Sequence, residues 1–425
     1  MSAVIASRTP SFPVAAGSRP LRRLLGPALL VAVGYMDPGN WATDIAGGAS
    51  YRYALLSVVI AASLLGVLFQ TLAARLAVAT GEDLAQLSAR HLPVPVARLA
   101  WLAGELAIVA TALAELVGGA IALQLLFELP FGLGLAFSAL ATLGVMILSN
   151  GRPGVHEKLV NLLLAVVGLS FVALLLQSRP DFGQAGHDVV RSGSLLHSRE
   201  ALLLALGIVG ATVMPHNLYL HSGLVAERVR GIAAPLRRQA MRLATRDTAV
   251  ALGLAMLVNV AILVVAAASL GGQGPAVTSL AGAHGALRLS LGAGAALIFG
   301  AALYAAGQSS AITGVLAGRL LSRGFRGRES STWMRGIATR LGAVVLACLF
   351  IGVGGSATPD SLLVFSQVIL SLALPFALVP LVLLASRPAL MREFSLPPLL
   401  RYGAAALTAG VAVLDLGLLL VQFAG

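Results

Sequence analysis

The sequence predicts an all-α membrane protein with two inverted repeats of five transmembrane helices and an eleventh helix after them. Three observations support this prediction. Hydrophobic residues make up 58% of the 425 residues and charged residues only 11%, with a mean hydropathy of +0.91, which excludes an ordinary soluble domain. Apolar runs of membrane-spanning length recur from end to end. Two of these runs, the first and the sixth, are broken at mid-membrane by a proline.

Eleven apolar runs are long enough to cross a bilayer, and we number them spans 1 to 11. The spans are 24–47, 55–78, 99–126, 133–148, 159–176, 201–226, 248–270, 291–316, 337–353, 361–385 and 402–423. Within one transmembrane domain, 24–425, the first repeat is 24–178, the second is 200–386 and the eleventh helix is 402–423. Residues 1–18 lack the compact apolar core of a cleaved signal, and residues 1–23 are interpreted as a cytoplasmic N-terminal tail.

The distribution of basic residues predicts the orientation. The chain has 29 Lys and Arg and a net charge of +12, but they lie between the apolar runs and only 5% of residues are aromatic, which argues against a nucleic-acid partner. With the N-terminus in the cytoplasm, all but five of them lie inside. The five outside are Arg52, Arg179, Arg191, Arg199 and Arg288. The positive-inside rule therefore predicts a multi-pass protein of the cell (inner) membrane with its N-terminus cytoplasmic and its C-terminus outside.

Span 1 is interrupted by Asp37-Pro38-Gly39-Asn40. Pro38 removes a backbone donor and clashes with the preceding turn, and Gly39 lacks a side chain that would favour a helix. A carboxylate at this depth costs at least ~2.5–3.5 kcal/mol on insertion scales, so Asp37 needs a partner or a wet cavity. An acid and an amide at a helix break predict a cation site, which needs a second contributor.

Span 6 supplies that contributor, because Pro215 interrupts Ala211-Thr212-Val213-Met214-Pro215-His216-Asn217. Breaks in corresponding helices of two five-helix halves are typical of inverted-repeat transporters, whose substrate binds between the halves. The alternative is a pair of unrelated proline kinks, which membrane helices tolerate. Polar residues beside both prolines favour the first interpretation.

The donor atoms at the two breaks indicate the kind of cation. Asp37 offers an anionic oxygen, Asn40 a neutral one, and the carbonyl of Ala211 is freed because Pro215 has no N–H. Oxygen donors alone suit Mg²⁺ or Ca²⁺, whereas the thioether of Met214 favours a transition metal. The alternative for Met214 is a core filler, the usual role of a methionine.

These motifs resemble those of the Nramp family of divalent metal transporters. The matching stretches are Asp37-Pro38-Gly39-Asn40-Trp41-Ala42-Thr43-Asp44, Ala211-Thr212-Val213-Met214-Pro215-His216-Asn217, Tyr219-Leu220-His221-Ser222, Ala306-Gly307-Gln308-Ser309-Ser310-Ala311-Ile312-Thr313-Gly314, Ser366-Gln367-Val368-Ile369-Leu370-Ser371 and Leu374-Pro375-Phe376-Ala377. The resemblance implies a LeuT-type fold and import of Mn²⁺, Fe²⁺ and similar ions by alternating access, usually with protons. It implies Asp37, Asn40, the carbonyl of Ala211, and Met214 as metal ligands, with Gln367 joining in some conformations.

The proton-coupling residues depart from the family pattern. The family usually has Thr-Asp-Leu-Ala-Glu in span 3, where this chain has Thr111-Ala112-Leu113-Ala114-Glu115, so Ala112 takes the place of the aspartate. The ninth helix of the family often has paired arginines that face this acid. The matching stretch here is Met334-Arg335-Gly336, in which Gly336 takes the place of one arginine. Joint loss of an acid and a base is coherent, because either alone would be an uncompensated buried charge. The remaining candidates for a proton relay are Glu115, Glu105, His216 and His221. His221 could equally be a packing histidine. Because the acid and one of the arginines are missing, coupling is expected to be altered, weakened or absent.

Two other functions stay open at this stage. One is a transporter of the same fold that carries Mg²⁺ or a Na⁺-coupled solute; the other is a metal-binding membrane receptor that moves no ion. An enzyme is not predicted, since no water-activating group of residues accompanies the breaks. The expected partners are a divalent cation, protons and the lipid bilayer, with no cofactor and with a monomer as the starting assumption.

Overall fold

The protein is described by a computed structural model covering residues 24–148, 154–190, 192–193, 198–271, 278–327, 331–354 and 358–423. The predicted tail, 1–23, lies outside these residues. The α-helices are α1 Pro27–Gly34, α2 Pro38–Tyr51, α3 Leu56–Thr80, α4 Leu84–His91, α5 Val94–Phe127, α6 Phe131–Leu148, α7 Val155–Ser178, α8 Phe182–Val190, α9 Arg199–Thr212, α10 Pro215–Val229, α11 Arg237–Leu270, α12 Leu280–Leu291, α13 Ala293–Arg326, α14 Thr332–Gly354, α15 Pro359–Ala373, α16 Pro375–Ala385, α17 Pro388–Met391 and α18 Pro398–Phe423. Two 3₁₀ turns, Ala234–Leu236 and Arg392–Phe394, complete the regular structure of the described residues.

All eleven predicted spans correspond to helices. Spans 1, 6 and 10 are each formed by two helices, α1 with α2, α9 with α10, and α15 with α16, and the other spans by α3, α5, α6, α7, α11, α13, α14 and α18. Among the described residues, nine helical stretches are long and apolar enough to cross a membrane; α6 is a shorter apolar helix. Span 1 is not among the nine, because it consists of two short helices of 8 and 14 residues that are separated by the non-helical residues 35–37.

Several helices are longer than the apolar runs that predicted them. The helix of span 7 begins at Arg237 rather than 248, and that of span 8 continues to Arg326 rather than 316. An apolar run marks the part of a helix inside hydrocarbon, whereas backbone hydrogen bonding continues through the interface.

The break in span 1 is stabilised by its own side chains. α1 ends at Gly34, and the N–H groups of Tyr35 and Met36 donate to carbonyls three residues back. Asp37 is extended, with φ −69° and ψ 163°, and its carboxylate accepts from the N–H of Asn40 at 2.9 Å, so it caps α2, whose first residue is Pro38. A carboxylate at a helix N-terminus is favoured by the cap and by the helix dipole.

The break in span 6 has the same form. α9 ends at Thr212, Val213 is non-helical with φ −94° and ψ 87°, Met214 is extended, and Pro215 is the first residue of α10. Proline suits this position because the first residues of a helix have no intrahelical partner for their N–H groups.

Span 10 also contains an interruption, which the sequence analysis did not predict. α15 ends at Ala373, and Pro375 begins α16. The intervening Leu374 keeps helical angles, φ −61° and ψ −45°, so this is a proline kink rather than an unwound segment. The sequence signal was Pro375, which lies inside a long apolar run.

Close packing fixes α2 at the centre of the molecule. Trp41 is completely buried and contacts the rings of Phe171 and Phe299, at centroid distances of 4.8 and 5.6 Å. Its indole N–H donates to the carbonyl of Met36 at 3.0 Å. The aromatic contacts and this hydrogen bond hold the residues on both sides of the Asp37–Asn40 break.

Candidate metal centre

The two helix breaks meet at Asn40. Its side-chain N–H₂ donates to Asp37 Oδ1 at 2.7 Å and to the carbonyl of Ala211 at 3.1 Å. The hydroxyl of Thr212 donates to Asn40 Oδ1 at 3.4 Å. Three of the residues predicted as metal ligands, Asp37, Asn40 and Ala211, are therefore brought together, although they come from opposite halves of the chain.

The site contains buried oxygen atoms without a hydrogen-bond partner. They include Asp37 Oδ2 and Gln367 Oε1, and both residues are buried. Gln367, on α15, lies against the backbone of Gly39, so closely that a Cβ on Gly39 would overlap its amide. An unpaired buried carboxylate oxygen costs about 1–3 kcal/mol or more, so this arrangement suits a site that binds a cation.

Met214 lies at the second break with its sulfur inside the protein. It is completely buried at the N-terminus of α10. Its sulfur contacts the side-chain N–H₂ of Asn217, which lies 3.7 Å from Sδ. Its proposed role as a ligand therefore stays a prediction.

Asn217 is a residue whose place in the site the sequence analysis missed. Its amide fills the space beside Gly34, where a Cβ would overlap it, and its Oδ1 is buried without a partner. Asn217 thus contacts both the end of α1 and the sulfur of Met214. The available signal was its position three residues after Met214, which places both on one helix face.

Glu115 and Glu105, both on α5, each pair with an arginine of α14. Glu115 is buried, accepts from the hydroxyl of Ser310 at 3.0 Å, and lies 3.5 Å from a guanidinium nitrogen of Arg340. Glu105 forms an ion pair with Arg335.

Arg340 is the partner of Glu115 that the sequence did not predict. The sequence motif points to Arg335 and Gly336, and the positive-inside rule predicts Arg340 on the cytoplasmic side. In the structure Arg340 is buried and supplies the base that faces Glu115. The helix places Arg340 about 7.5 Å along α14 from Arg335, at ~1.5 Å per residue, so the two arginines contact different acids.

The two histidines belong to different hydrogen-bond groups. His216 Nδ1 lies 3.4 Å from the hydroxyl of Thr111, on the same helix as Glu115. His221 Nδ1 lies 3.0 Å from Gln70 Oε1, and the amide of Gln70 donates to the hydroxyl of Tyr35 at 3.1 Å. His221 therefore connects α10, α3 and the end of α1, and makes no contact with the glutamates in this structure.

Within the described ranges no cluster of three or more His, Cys, Asp and Glu side chains has metal-binding geometry. A cation site at the breaks therefore depends on one carboxylate, Asp37, with neutral donors around it. Such a donor set lowers the total anionic charge of the site and disfavours hard cations that need several carboxylates.

Comparison with known proteins identifies the family. A family model described as natural resistance-associated macrophage protein-like (Nramp) matches residues 28–421. The divalent metal cation transporter MntH 1 of Pseudomonas aeruginosa is 46% identical over 392 residues, 91% of this chain and 89% of that protein. The divalent metal cation transporter MntH of a Nostoc species is 45% identical over 374 residues, 88% of this chain and 85% of that protein.

Solved structures agree with this result. The manganese transporter of Eremococcus coleocola is 33% identical and superposes with a TM-score of 0.83, covering 95% of this chain and 88% of that one. A nucleobase-cation-symport-1 family transporter, 14% identical, has a TM-score of 0.60, covering 94% of this chain and 91% of that one, and this likeness concerns the fold alone. The predicted LeuT-type fold is confirmed. The chain is a multi-pass membrane protein and belongs to the Nramp family.

Proposed function

We propose that this protein imports divalent transition-metal cations, Mn²⁺ and Fe²⁺ among them, across the cell (inner) membrane by alternating access, as a monomer. Family membership supports transport of a divalent metal cation and excludes an enzyme. The single observation that carries the proposal is the hydrogen bonding of Asn40 to Asp37 and to Ala211, which joins the two breaks beside an unpaired carboxylate oxygen.

The proposed ligands are Asp37, Asn40, the carbonyl of Ala211, and Met214, with Gln367 joining in some conformations. Gln367 Oε1 and Asp37 Oδ2 are buried and unpaired, which supports their availability to an ion. For Asn40 to coordinate through Oδ1, its hydrogen bond from Thr212 must lengthen, and at 3.4 Å that bond is already weak. A thioether at the site favours Mn²⁺ and Fe²⁺ over Mg²⁺.

The proposed inward opening moves α1. Asp37 and Met214 are completely buried, so an ion at the breaks has no open path in this conformation. The N-terminus of α1 is held by Asp247 of α11, which accepts from the N–H groups of Gly26 at 2.9 Å and Ala28 at 3.0 Å. Release of these bonds would free the cytoplasmic half of span 1 with the N-terminus inside the cell, the orientation that the basic residues favour.

The proposed proton path uses α5 and α14. Glu115 lies beside Arg340 and Glu105 beside Arg335, so each of these two acids on α5 faces one arginine on α14. His216 follows Met214 by two residues, so it lies beside the break in span 6, and it is next to Thr111 of α5. Ala112 removes one acid from this path, so we expect fewer protons to move per metal ion than in family members that have the aspartate.

The proposal is tested by metal uptake into proteoliposomes. Asp37→Asn keeps the side-chain size and removes the anionic ligand, so we expect Mn²⁺ uptake to fall to background. Asp188→Asn, the same change on the peripheral helix α8, is the matched control and should leave uptake intact. Normal uptake by Asp37→Asn would contradict the site. Metal binding to the unmodified protein without flux would favour a receptor over a transporter.

A further inference from the structure

A large apolar groove lies between spans 1, 5 and 7, beside the break in span 1. Its volume is about 610 Å³, and all of its lining residues are apolar. Small residues on spans 5 and 7, including Ala165, Gly168, Ala251 and Ala255, make the space, since longer side chains at those positions would fill it. The groove is thus produced by residue size rather than by a gap between distant helices.

The groove opens toward lipid. Leu169 and Leu257, on its two walls, are 71% and 60% exposed. Both belong to spans that cross the bilayer, so in the membrane their exposed surfaces contact acyl chains. The inner end of the groove is closed by Ala32 and Met36 of span 1.

We propose that this groove is a binding site for one acyl chain of a membrane lipid. A vacant groove would forfeit dispersion contacts along its whole lining, and water there would find no polar partner. The groove, at about 610 Å³, is too small to enclose a second transmembrane helix, because a cylinder about 10 Å wide and about 30 Å long has a volume of roughly 2,400 Å³. The groove lies within the size range of ~300–1,000 Å³ of small-ligand sites.

A chain in the groove would contact residues that position the metal-site break. Met36 precedes Asp37 directly and lines the groove. Phe171, another lining residue, packs edge-on against Trp41, and the indole of Trp41 donates to the carbonyl of Met36. The acyl chain therefore supports the outer surface of the segment that holds the Asp37–Asn40 break.

Trp41 provides a test that does not depend on transport. Because Trp41 is completely buried, lipid around the protein does not touch it, but a chain in the groove lies one ring away across Phe171. The other two tryptophans are changed to phenylalanine, Trp101→Phe and Trp333→Phe, so that Trp41 is the only emitter. The protein is placed in phosphatidylcholine vesicles, either unbrominated or with bromine at mid-chain, and the two emission intensities are compared.

We expect brominated lipid to quench Trp41 and Gly168→Phe to remove this quenching. A Cβ on Gly168 meets no atom within 4 Å, so a ring fits there and occupies the groove. Gly144→Phe is the matched control: Gly144, in span 4, also has no atom within 4 Å of its Cβ, but it does not line the groove, and quenching should persist. Each variant is referred to its own emission in unbrominated lipid.

Absence of quenching in the parent protein would overturn the proposal and indicate that protein, not lipid, fills the groove. Quenching that survives Gly168→Phe would also overturn it, since the lipid would then act from elsewhere. If Gly168→Phe does not fold, Ala165→Phe replaces it, because Ala165 is an exposed lining residue that a ring can extend from.

Discussion

Asn40 illustrates how one side chain can assemble a site from distant parts of a sequence. A single N–H₂ group donates both to the carboxylate of its own break and to a carbonyl of the other break. The bond to the charged Asp37 contributes about 1.5–3 kcal/mol within its own break, and the bond to the neutral carbonyl of Ala211, about 0.5–1.5 kcal/mol, joins the two halves. The same arrangement leaves Asp37 Oδ2 unpaired.

In the proposed site, Met214 is the residue that would distinguish a transition-metal site from a site for any divalent ion. Met214→Ala should keep Mn²⁺ uptake but reduce the preference over Mg²⁺ and Ca²⁺, because the remaining oxygen donors suit hard cations. Competition of unlabelled Mg²⁺ and Ca²⁺ against Mn²⁺ uptake measures the change.

Met36→Ala is the control, because it also removes a buried methionine side chain near the break. Met36 lines the apolar groove and has no proposed ligand role. Cation preference should not change in Met36→Ala. If both variants keep the preference of the unmodified protein for Mn²⁺ over Mg²⁺ and Ca²⁺, the sulfur of Met214 has only a packing role.

Sequence reasoning found the acid, amide, carbonyl and thioether at the breaks because each lies beside a proline that interrupts an apolar run. It missed Arg340 as the partner of Glu115 and Asn217 as a neighbour of Met214. These pairings depend on which helix faces which, and single-sequence patterns carry no information about that. Arg340 lies near the start of span 9, where a basic residue ordinarily lies in the interface, so nothing in the sequence indicated that it is buried against Glu115.

At the scale of helices, the approach of α5 to the break in span 1 depends on Gly118. A Cβ built on Gly118 would overlap the ring of Pro38. The pyrrolidine ring cannot rotate away, so one helix has to shift.

Gly118→Ala should therefore destabilise the protein by about 1–3 kcal/mol, as overpacking does, and reduce Mn²⁺ uptake by displacing the break. Gly144→Ala is the control, because its Cβ enters open space and gains about 0.5–1 kcal/mol of helix propensity. Thermal unfolding in detergent should move in opposite directions for the two variants. Equal shifts would show that the contact with Pro38 does not constrain the break.

The N-terminus of α1 depends on a carboxylate from another helix. The two oxygens of Asp247 each accept one N–H, from Gly26 and from Ala28. Asp247→Asn replaces one acceptor by an amide N–H₂, so it should weaken the hold on α1 by about 1 kcal/mol, a typical capping loss. The inward-open population should then rise several-fold.

Labelling of a cysteine on α1 measures this change. In a Cys348→Ser background, Val31→Cys is completely buried and should react faster with a cytoplasmic maleimide when Asp247→Asn is added. Asp188→Asn should not alter the rate. An unchanged rate with Asp247→Asn would mean that α1 is held mainly by other contacts, such as that of Arg228 with the carbonyl of Leu25.

The break in span 10 shows where helix-level prediction failed. Spans 1 and 6 were recognised because polar residues stand beside the prolines, whereas Pro375 stands among apolar residues and leaves the helical angles nearly intact. A proline in an apolar run does not by itself distinguish a kink from an unwound segment. The difference lies in whether neighbouring polar groups can replace the lost backbone bond.

At the scale of the whole molecule, composition and the length of the apolar runs were sufficient for the all-α class and for the eleven spans. The physical reason is that a bilayer forces each spanning helix to be apolar over a fixed length. The order in which these helices pack has no comparable signature. The two proline breaks, five spans apart, were the one global feature that sequence alone placed correctly in the fold.

The proposed proton coupling would be a property of the whole chain, because it would link the proposed metal site to the acids of α5 and the arginines of α14. With Ala112 in place of an acid, we expect Mn²⁺ uptake to depend less on an imposed pH gradient than in relatives that have an aspartate there. Simultaneous Mn²⁺ and proton flux in proteoliposomes measures the ratio.

Glu115→Gln separates the two ways in which residual coupling could arise. If the remaining protons use Glu115, this change should abolish proton flux while Mn²⁺ uptake continues, although Arg340 then loses its acidic partner and the protein should be less stable. If proton flux persists unchanged in Glu115→Gln, the path runs through the other candidates, Glu105, His216 or His221. A fixed, stoichiometric proton flux in the unmodified protein would show that the missing acid is fully replaced, and the expected weakening of coupling would be wrong.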